Sequence, residues 1–358
     1  MTLDYNIIKK TVRNVSDILK ARLRTHIKSR TVSAVKVEPG LRNAFHVVVM
    51  VVYNEASRIP FFLQYYRAMG FEHFIILDNQ SDDNLQSILL KEEDVSLFFV
   101  KGSYKNARFG MDWINGLLSK YCSSKWILHV DIDEFLVFPH CDQNGIADLT
   151  AVMTKKRQFS LQCLMVDMYS SRKVNDNICG VGENPLSVCS FFDRDGYDRH
   201  YDPCTETVWI KGGVRGRIYF ANDTSKGPAL NKTPLVFWQK HFAYLKSAHE
   251  LWPPRLNGGQ STQGKMRGAL LHFKFLSDFT TKVTAEAIRR QHTEEYNAYF
   301  ENGSIRNDSP NFIGPPSVQY TGWHSLQEAG LIDGTVWPLG PSGQLDRASE
   351  HRCSGNGG

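Results

Sequence analysis

The run His46 to Tyr53, HVVVMVVY, constrains this chain more than any other stretch. β-branched side chains crowd a helix at χ1 and pack well on a pleated surface. An unbroken apolar run without alternation suits a strand covered on both faces. Such a strand needs helices above and below it, and the residues that follow supply them. Pro60 to Met69 predicts a helix, with Gly70 placed to stop it. Phe74 to Leu77 reads as a second strand and Leu97 to Val100 as a third. Arg108 to Tyr121 reads as a helix, and Trp126 to Val130 as a fourth strand that ends at Asp131. Strand and helix alternating at this spacing predict an α/β fold, a Rossmann-type, mostly parallel sheet flanked by helices.

In such sheets ligands sit at the carboxyl ends of the strands. Three polar clusters fall there: Tyr53-Asn54-Glu55, Asp78 to Asp83, and Asp131 to Glu134. On a strand end, residues two apart point the same way, so Asp131 and Asp133 present paired carboxylates while Ile132 faces the core. Two adjacent carboxylates repel unless a cation joins them. A hard divalent ion such as Mg²⁺ or Mn²⁺ wants oxygen ligands and shares its shell with phosphates. An acidic turn capping the next helix is the plainer reading of an isolated Asp-x-Asp; the apolar WILHV before it favours the metal. Tyr53, Asn54 and Glu55 are placed to reach a nucleobase or ribose, and the Asp78 turn to accept from a ribose hydroxyl or base N–H. Ordinary capping of the following helices accounts for both turns equally well.

The second half is less regular. Phe159 to Met168 reads as a strand, and Val208 to Phe220 as another, interrupted by Gly212, Gly213 and Gly216. Within that stretch Arg215 and Arg217 stand two apart among glycines, a pattern that suits gripping phosphate or a twisted edge with solvated arginines. Alternation in Leu270 to Phe275, LLHFKF, puts His272 and Lys274 on one face and Phe273 and Phe275 on the other. A neutral imidazole there completes a metal site, and the lysine neutralises a departing diphosphate. His249 is the rival ligand. A helix is expected over Thr284 to Phe300. The Gly- and Ser-rich tail from Pro338 to Gly358 is expected to lack order.

Ahead of the first strand, residues 4 to 29 predict a basic amphipathic helix. Ile8, Val12, Val15, Leu19 and Leu23 line one face, with seven lysines and arginines around them. That helix either packs on the body or docks on an anionic membrane surface. Val37 to Asn43 reads as a linker. The expected segments are thus 1–43, 44–305 and 306–358. A net charge of +5 is too mild for a nucleic-acid binder. Seven cysteines without zinc or disulfide spacing, no apolar run of membrane-span length and no signal-peptide core point to a cytoplasmic protein, either soluble or, through the basic helix, peripheral on the inner face of the cell membrane.

The order VVYNEA, ILDNQSDDN, WILHVDIDEF resembles the family 2 glycosyltransferases and their GT-A relatives, closely over residues 46 to 138 and more loosely to about 300. The resemblance implies a nucleotide-sugar donor held at Asn54, Glu55 and Asp78, with Asp131 and Asp133 on a Mn²⁺ or Mg²⁺ ion that bridges the diphosphate. It also implies a late histidine, here His272, and a glycan or lipid-linked acceptor. DNQS stands where many relatives have a second acidic residue after the first aspartate, which divides the nucleoside role between Asp78 and Asp82. An inverting transfer needs a carboxylate to take the acceptor proton. Asp167, at the end of its strand, is the first choice and Asp193 the second, with Asp195 and Glu206 behind. A sugar-nucleotide pyrophosphorylase would need a Gly-rich loop after the first strand, where this chain has YNEASR. A catalytically dead module of the same fold is the other alternative.

Overall fold

The computed structural model describes residues 5–259, 264–279 and 311–337. The chain opens with α1 (Tyr5–Ser29), β1 (Val32–Lys36) and α2 (Gly40–Asn43). A helical turn therefore occupies most of the expected linker. Strand and helix then alternate through β2 (His46–Val52), α3 (Ile59–Ala68), β3 (His73–Asp78), α4 (Leu85–Leu89), β4 (Val95–Val100), α5 (Met111–Tyr121) and β5 (Lys125–His129). β6 (Glu134–Val137), α6 (Ile146–Lys155) and β7 (Ser160–Asp167) follow, then β8 (Phe191–Asp193), β9 (Tyr197–Asp202), β10 (Thr207–Gly212) and α7 (Gly213–Tyr219). The described chain ends with β11 (Asn231–Trp238), β12 (Ala243–Lys246), β13 (Glu250–Trp252), β14 (Arg267–His272), β15 (Ser317–Gln319) and a last helix, α8 (Trp323–Glu328). The helix expected over Thr284 to Phe300 and the tail from Pro338 lie outside the described residues.

The expected α/β class holds: a nine-stranded central sheet, flanked by helices, runs in the order β1-β4-β3-β2-β5-β11-β7-β14-β6. β4, β3, β2 and β5 are parallel to one another, and β14 is parallel to β7. β1, β11 and β6 run against their neighbours. Valine-rich β2 is central because both its faces are covered. Val48 and Met50 pack with Phe62 and Tyr66 of α3 on one side, and Val47 and Val49 with Ile114 and Leu118 of α5 on the other. Each such fully buried side chain contributes about 1.5–3 kcal/mol. α3 buries Ile59, Phe62, Leu63 and Tyr66, its i, i+3, i+4, i+7 stripe, and Gly70 ends it at φ 96°.

Two sequence expectations need correction. The strand expected from Val208 to Phe220 stops at Gly212, and the chain turns there into α7. Gly212 has φ 110°, and a Cβ on it would stand 2.0 Å from the Gly196 carbonyl oxygen, so only glycine fits the turn. Arg215 and Arg217 are therefore helical. β14 stops at His272, so Phe273 and Phe275 are buried and Lys274 half-buried without strand alternation to place them.

Candidate active site

Parallel strands bring their ends to one edge. β3, β2 and β5 deliver Asp78, Asn54 and Asp131 there. β11 runs back, and β7 and β14 run forward again, so Asp167 and His272 arrive at the same edge, opposite each other in register. β6 starts at that edge, with Glu134 opposite His272. Three strands separate β5 from β6 in the sheet. The segment from Val130 to Asp133 must therefore cross the ends of β11, β7 and β14. It crosses through a turn, closed by the Glu134 N–H donating to the Asp131 carbonyl at 3.1 Å, and this parts the two carboxylates that a continuous strand would pair.

Asp131 turns to Lys232, whose Nζ donates to its Oδ2 at 2.9 Å and also to Glu134 Oε1. Lys232 is buried in β11 beside Pro234, at a point where the ladder slips register. Proline has no N–H to give the ladder, so the strand bulges there. Burial raises the Glu134 carboxyl to about 7, although Lys232 opposes the rise. Asp133 turns the other way: its Oδ2 lies 3.5 Å from His272 Nε2. The opposite ring nitrogen, Nδ1, donates to Asp167 Oδ1 at 2.6 Å. Arg215 Nε donates to the second Asp167 oxygen at 2.7 Å. Burial alone would raise Asp167, but Arg215 and His272 hold it below the ordinary carboxylate range. Burial likewise opposes the charge on His272, and Asp133 and Asp167 overcome it, setting the ring at about 9.

The nucleoside residues expected from the sequence also meet. Asn54 Nδ2 donates to Asp82 Oδ1 at 2.6 Å, and the Asp82 N–H returns a bond to Asn54 Oδ1 at 2.9 Å. Asp78 is fully buried, and its two oxygens accept from the Ser81 N–H and from Gln86 Nε2. Its carboxylate thus organises its own turn. Glu55 pairs with Arg58 at 3.6 Å, and Tyr53 stands half-buried beside them in the chain.

Asp193 lies apart from this group. It is buried in an ion pair with Arg217, Nε to Oδ2 at 2.7 Å, and accepts from the Tyr169 hydroxyl. Both carboxylates expected to take the acceptor proton are therefore paired with arginines and buried away from any acceptor. Asp195 is exposed beside Arg194. His249 bonds the Asn231 carbonyl, and burial lowers it to about 4.

Arg58 went unnoticed in the sequence, and Lys232, in NKTPL, reads there only as a weaker counterpart of the Arg215 and Arg217 pair. A lysine inside the apolar strand NKTPLVFW must be paired once buried, which was the available signal. Arg58 follows Glu55 by one helical turn. Its Nη2 meets both oxygens of Asp278, at 2.7 and 2.6 Å, and its charge helps hold Asp133 ionised. A cavity of about 130 Å³ opens here between Arg58, Asp133, Asp278 and Glu183, over Phe135 and Phe273. Among the described residues no group of three or more His, Cys, Asp or Glu is arranged to hold a metal ion.

No protein-family model matches this chain, and no curated protein does. Among solved structures similar to it is the mannosyltransferase PcManGT from Pyrobaculum calidifontis in complex with GDP-Man and Mn²⁺. The identity is 14%, the match spans 46% of this chain and 46% of that one, and the TM-score is 0.23. A likeness that slight carries no weight for activity. No helix among the described residues is long and apolar enough to cross a membrane.

Proposed function

We propose that this chain is a glycosyltransferase that moves a sugar from a nucleotide-sugar donor to a glycan or lipid-linked acceptor, with residues 44–305 as the transferase unit. The observation that carries the reading is the Asp133–His272–Asp167–Arg215 relay at the carboxyl edge of the sheet. His272 donates Nδ1–H to a buried carboxylate, so a cation that displaced its second proton would find Nε2 held in the tautomer of a metal-binding ring. Asp133 faces that nitrogen, so the donor set fits a hard divalent ion that takes its other ligands from phosphate and water. Asp133 and His272 would hold Mn²⁺ or Mg²⁺, which when bound neutralises charge on the diphosphate.

The chain's own groups do the rest. Asp167 orients the His272 ring, and Arg215 anchors Asp167. Lys232 holds Asp131 and Glu134 side by side and favours the ionised form of Asp131, which leaves that half-exposed carboxylate facing the donor end. Asn54 and Asp82 tie the β2 and β3 turns into one wall for the nucleoside. Lys274 and Arg58 add positive charge beside Asp133. On the cavity side, Asp278 is the carboxylate that we assign to accept the acceptor proton. Arg58 holds it as arginines hold Asp167 and Asp193, but it is part-exposed where they are buried, and it borders the same cavity as Asp133. Asp167 and Asp193 are its rivals from the sequence.

The test is nucleoside diphosphate release from UDP-, GDP- and dTDP-sugars, with chelator and then with Mn²⁺ or Mg²⁺ restored. Release with at least one donor, lost with chelator and recovered with metal, supports the reading. No release from any donor would sink it and favour a catalytically dead module. Pyrophosphate-dependent formation of a sugar nucleotide would point to the pyrophosphorylase instead.

A further inference from the structure

The N-terminal helix carries its apolar row on the side that does not pack. α1 seats on the body through Ile18 and Ala21, both buried, against α5. The seat is close, since a Cβ on Gly116 of α5 would stand 2.5 Å from the Ser29 Cβ. Arg24 clamps it, with Nε 3.1 Å from Asp112 Oδ2 and Nη2 2.6 Å from the Asn106 carbonyl. At about 100° per residue, Leu19, Leu23 and Ile27 point directly away from that seat. They are 59, 62 and 54% exposed. They are the described end of the row that the sequence begins at Ile8.

Basic side chains border the row. Exposed Arg22 and His26 follow one margin and exposed Lys20 the other, where Arg24 is already engaged in its clamp on Asp112. α1 holds seven lysines and arginines against a single aspartate. Next to the row a cavity of about 490 Å³ opens between α1, β1 and α5, with Arg22, His26, Lys120 and Lys240 on its walls above Phe98 and Trp113. This places positive charge and apolar surface within one face.

We propose that α1 docks the protein on an anionic lipid bilayer. The Leu19–Leu23–Ile27 row enters the boundary between headgroups and acyl chains, and the flanking basic side chains, with those around the cavity, meet lipid phosphates. Charge decides between occupants. Two copies meeting row to row would set like-charged margins against each other, whereas a negative surface complements both margins. The inference is independent of the chemistry assigned to the sheet edge.

The experiment is flotation of the full chain with vesicles of phosphatidylcholine alone and of phosphatidylcholine mixed with phosphatidylglycerol. Binding to the mixed vesicles should exceed binding to neutral ones by about tenfold or more and weaken with salt. Leu19→Asn with Leu23→Asn should lower partitioning by about tenfold or more while the melting temperature stays unchanged, because neither side chain is buried. Should that pair unfold early, the exposed Lys20→Glu decides by its loss of the phosphatidylglycerol preference. Equal partitioning by parent and variants overturns the proposal. So does concentration-dependent dimerisation that the leucine pair abolishes in a parent that ignores vesicles.

Discussion

Two histidines buried in the same sheet differ in charge, one held neutral and the other cationic. His73 opens β3 at the amino edge, with the Ser96 hydroxyl 2.8 Å from its Nε2, and burial lowers it to about 4. His272 closes β14 at the carboxyl edge, where burial pushes in the same direction and two carboxylates reverse it, to about 9. Equal burial with opposite outcomes shows what separates the two edges. The amino edge is built for packing: its histidines His46 and His73 are held toward neutrality and share bonds with hydroxyls. The carboxyl edge gathers Asp131, Asp133, Glu134 and Asp167 against Lys232, Arg215 and His272. Buried charge of this density is a poor way to stabilise a fold, and its concentration at one edge is characteristic of a working site.

The comparison breaks most readily at Asp133 and His272. Asp133→Ala and His272→Ala should each lower nucleoside diphosphate release by about 10² to 10³. His73→Gln, equally buried, should leave turnover within about twofold. If His73→Gln proves as damaging as His272→Ala, the two edges do not differ in function.

A large effect of another kind is expected at Lys232→Met, which leaves the buried Glu134 carboxylate without its counter-charge. A loss of about 3–5 kcal/mol in urea unfolding is expected, partly recovered by adding Glu134→Gln. No recovery in the double variant would mean that Lys232 acts by filling space.

Asp167→Asn sharpens the comparison further. As a positioning residue, Asp167 should be worth about 10- to 100-fold in metal affinity, and its loss should move the His272 titration below 9, read by NMR. If transfer collapses while the ring titrates as before, Asp167 is the proton acceptor that the sequence suggested. Asp278→Asn is the companion measurement, expected to slow transfer by about 10² or more with metal affinity unchanged.

The smallest effect belongs to the amino edge. With its folded pKa depressed to about 4, His73 binds a proton more readily in the unfolded chain. Its stabilising contribution is complete above the unfolded value of about 6.5 and is lost as the pH falls toward 4. Between pH 6.5 and 5 the parent should lose about 2 kcal/mol more than His73→Gln. Parallel curves for the two proteins would place the acid sensitivity elsewhere.

Much of this was legible in the residues. Apolar runs located the parallel half of the sheet, and their ends located Asn54, Asp78 and Asp131. The LLHFKF run pointed to His272. The division between Asp131 and Asp133 was hidden, because local spacing cannot reveal that three other strands separate β5 from the next one. Arg215 was hidden as the partner of Asp167, since 48 residues separate them and a glycine turn converts the expected strand into a helix. The helical row at Leu19 and Leu23 was correctly read as one face; which way it turned depended on how closely Gly116 lets Ser29 approach.

β14 slots between β7 and β6, although both come much earlier in the chain; His272 reaches Asp167 across 105 residues. Synthesis proceeds from the N-terminus at about 5–20 residues per second, so for several seconds both older strands lack the neighbour that will satisfy their facing N–H and C=O groups. Contacts of such separation also close slowly. During that interval the nascent chain carries the acidic turn without the histidine that faces it, and it offers open strand edges to any other chain nearby. Chaperone dependence in the cell should therefore concentrate in the time between release of β7 and arrival of β14.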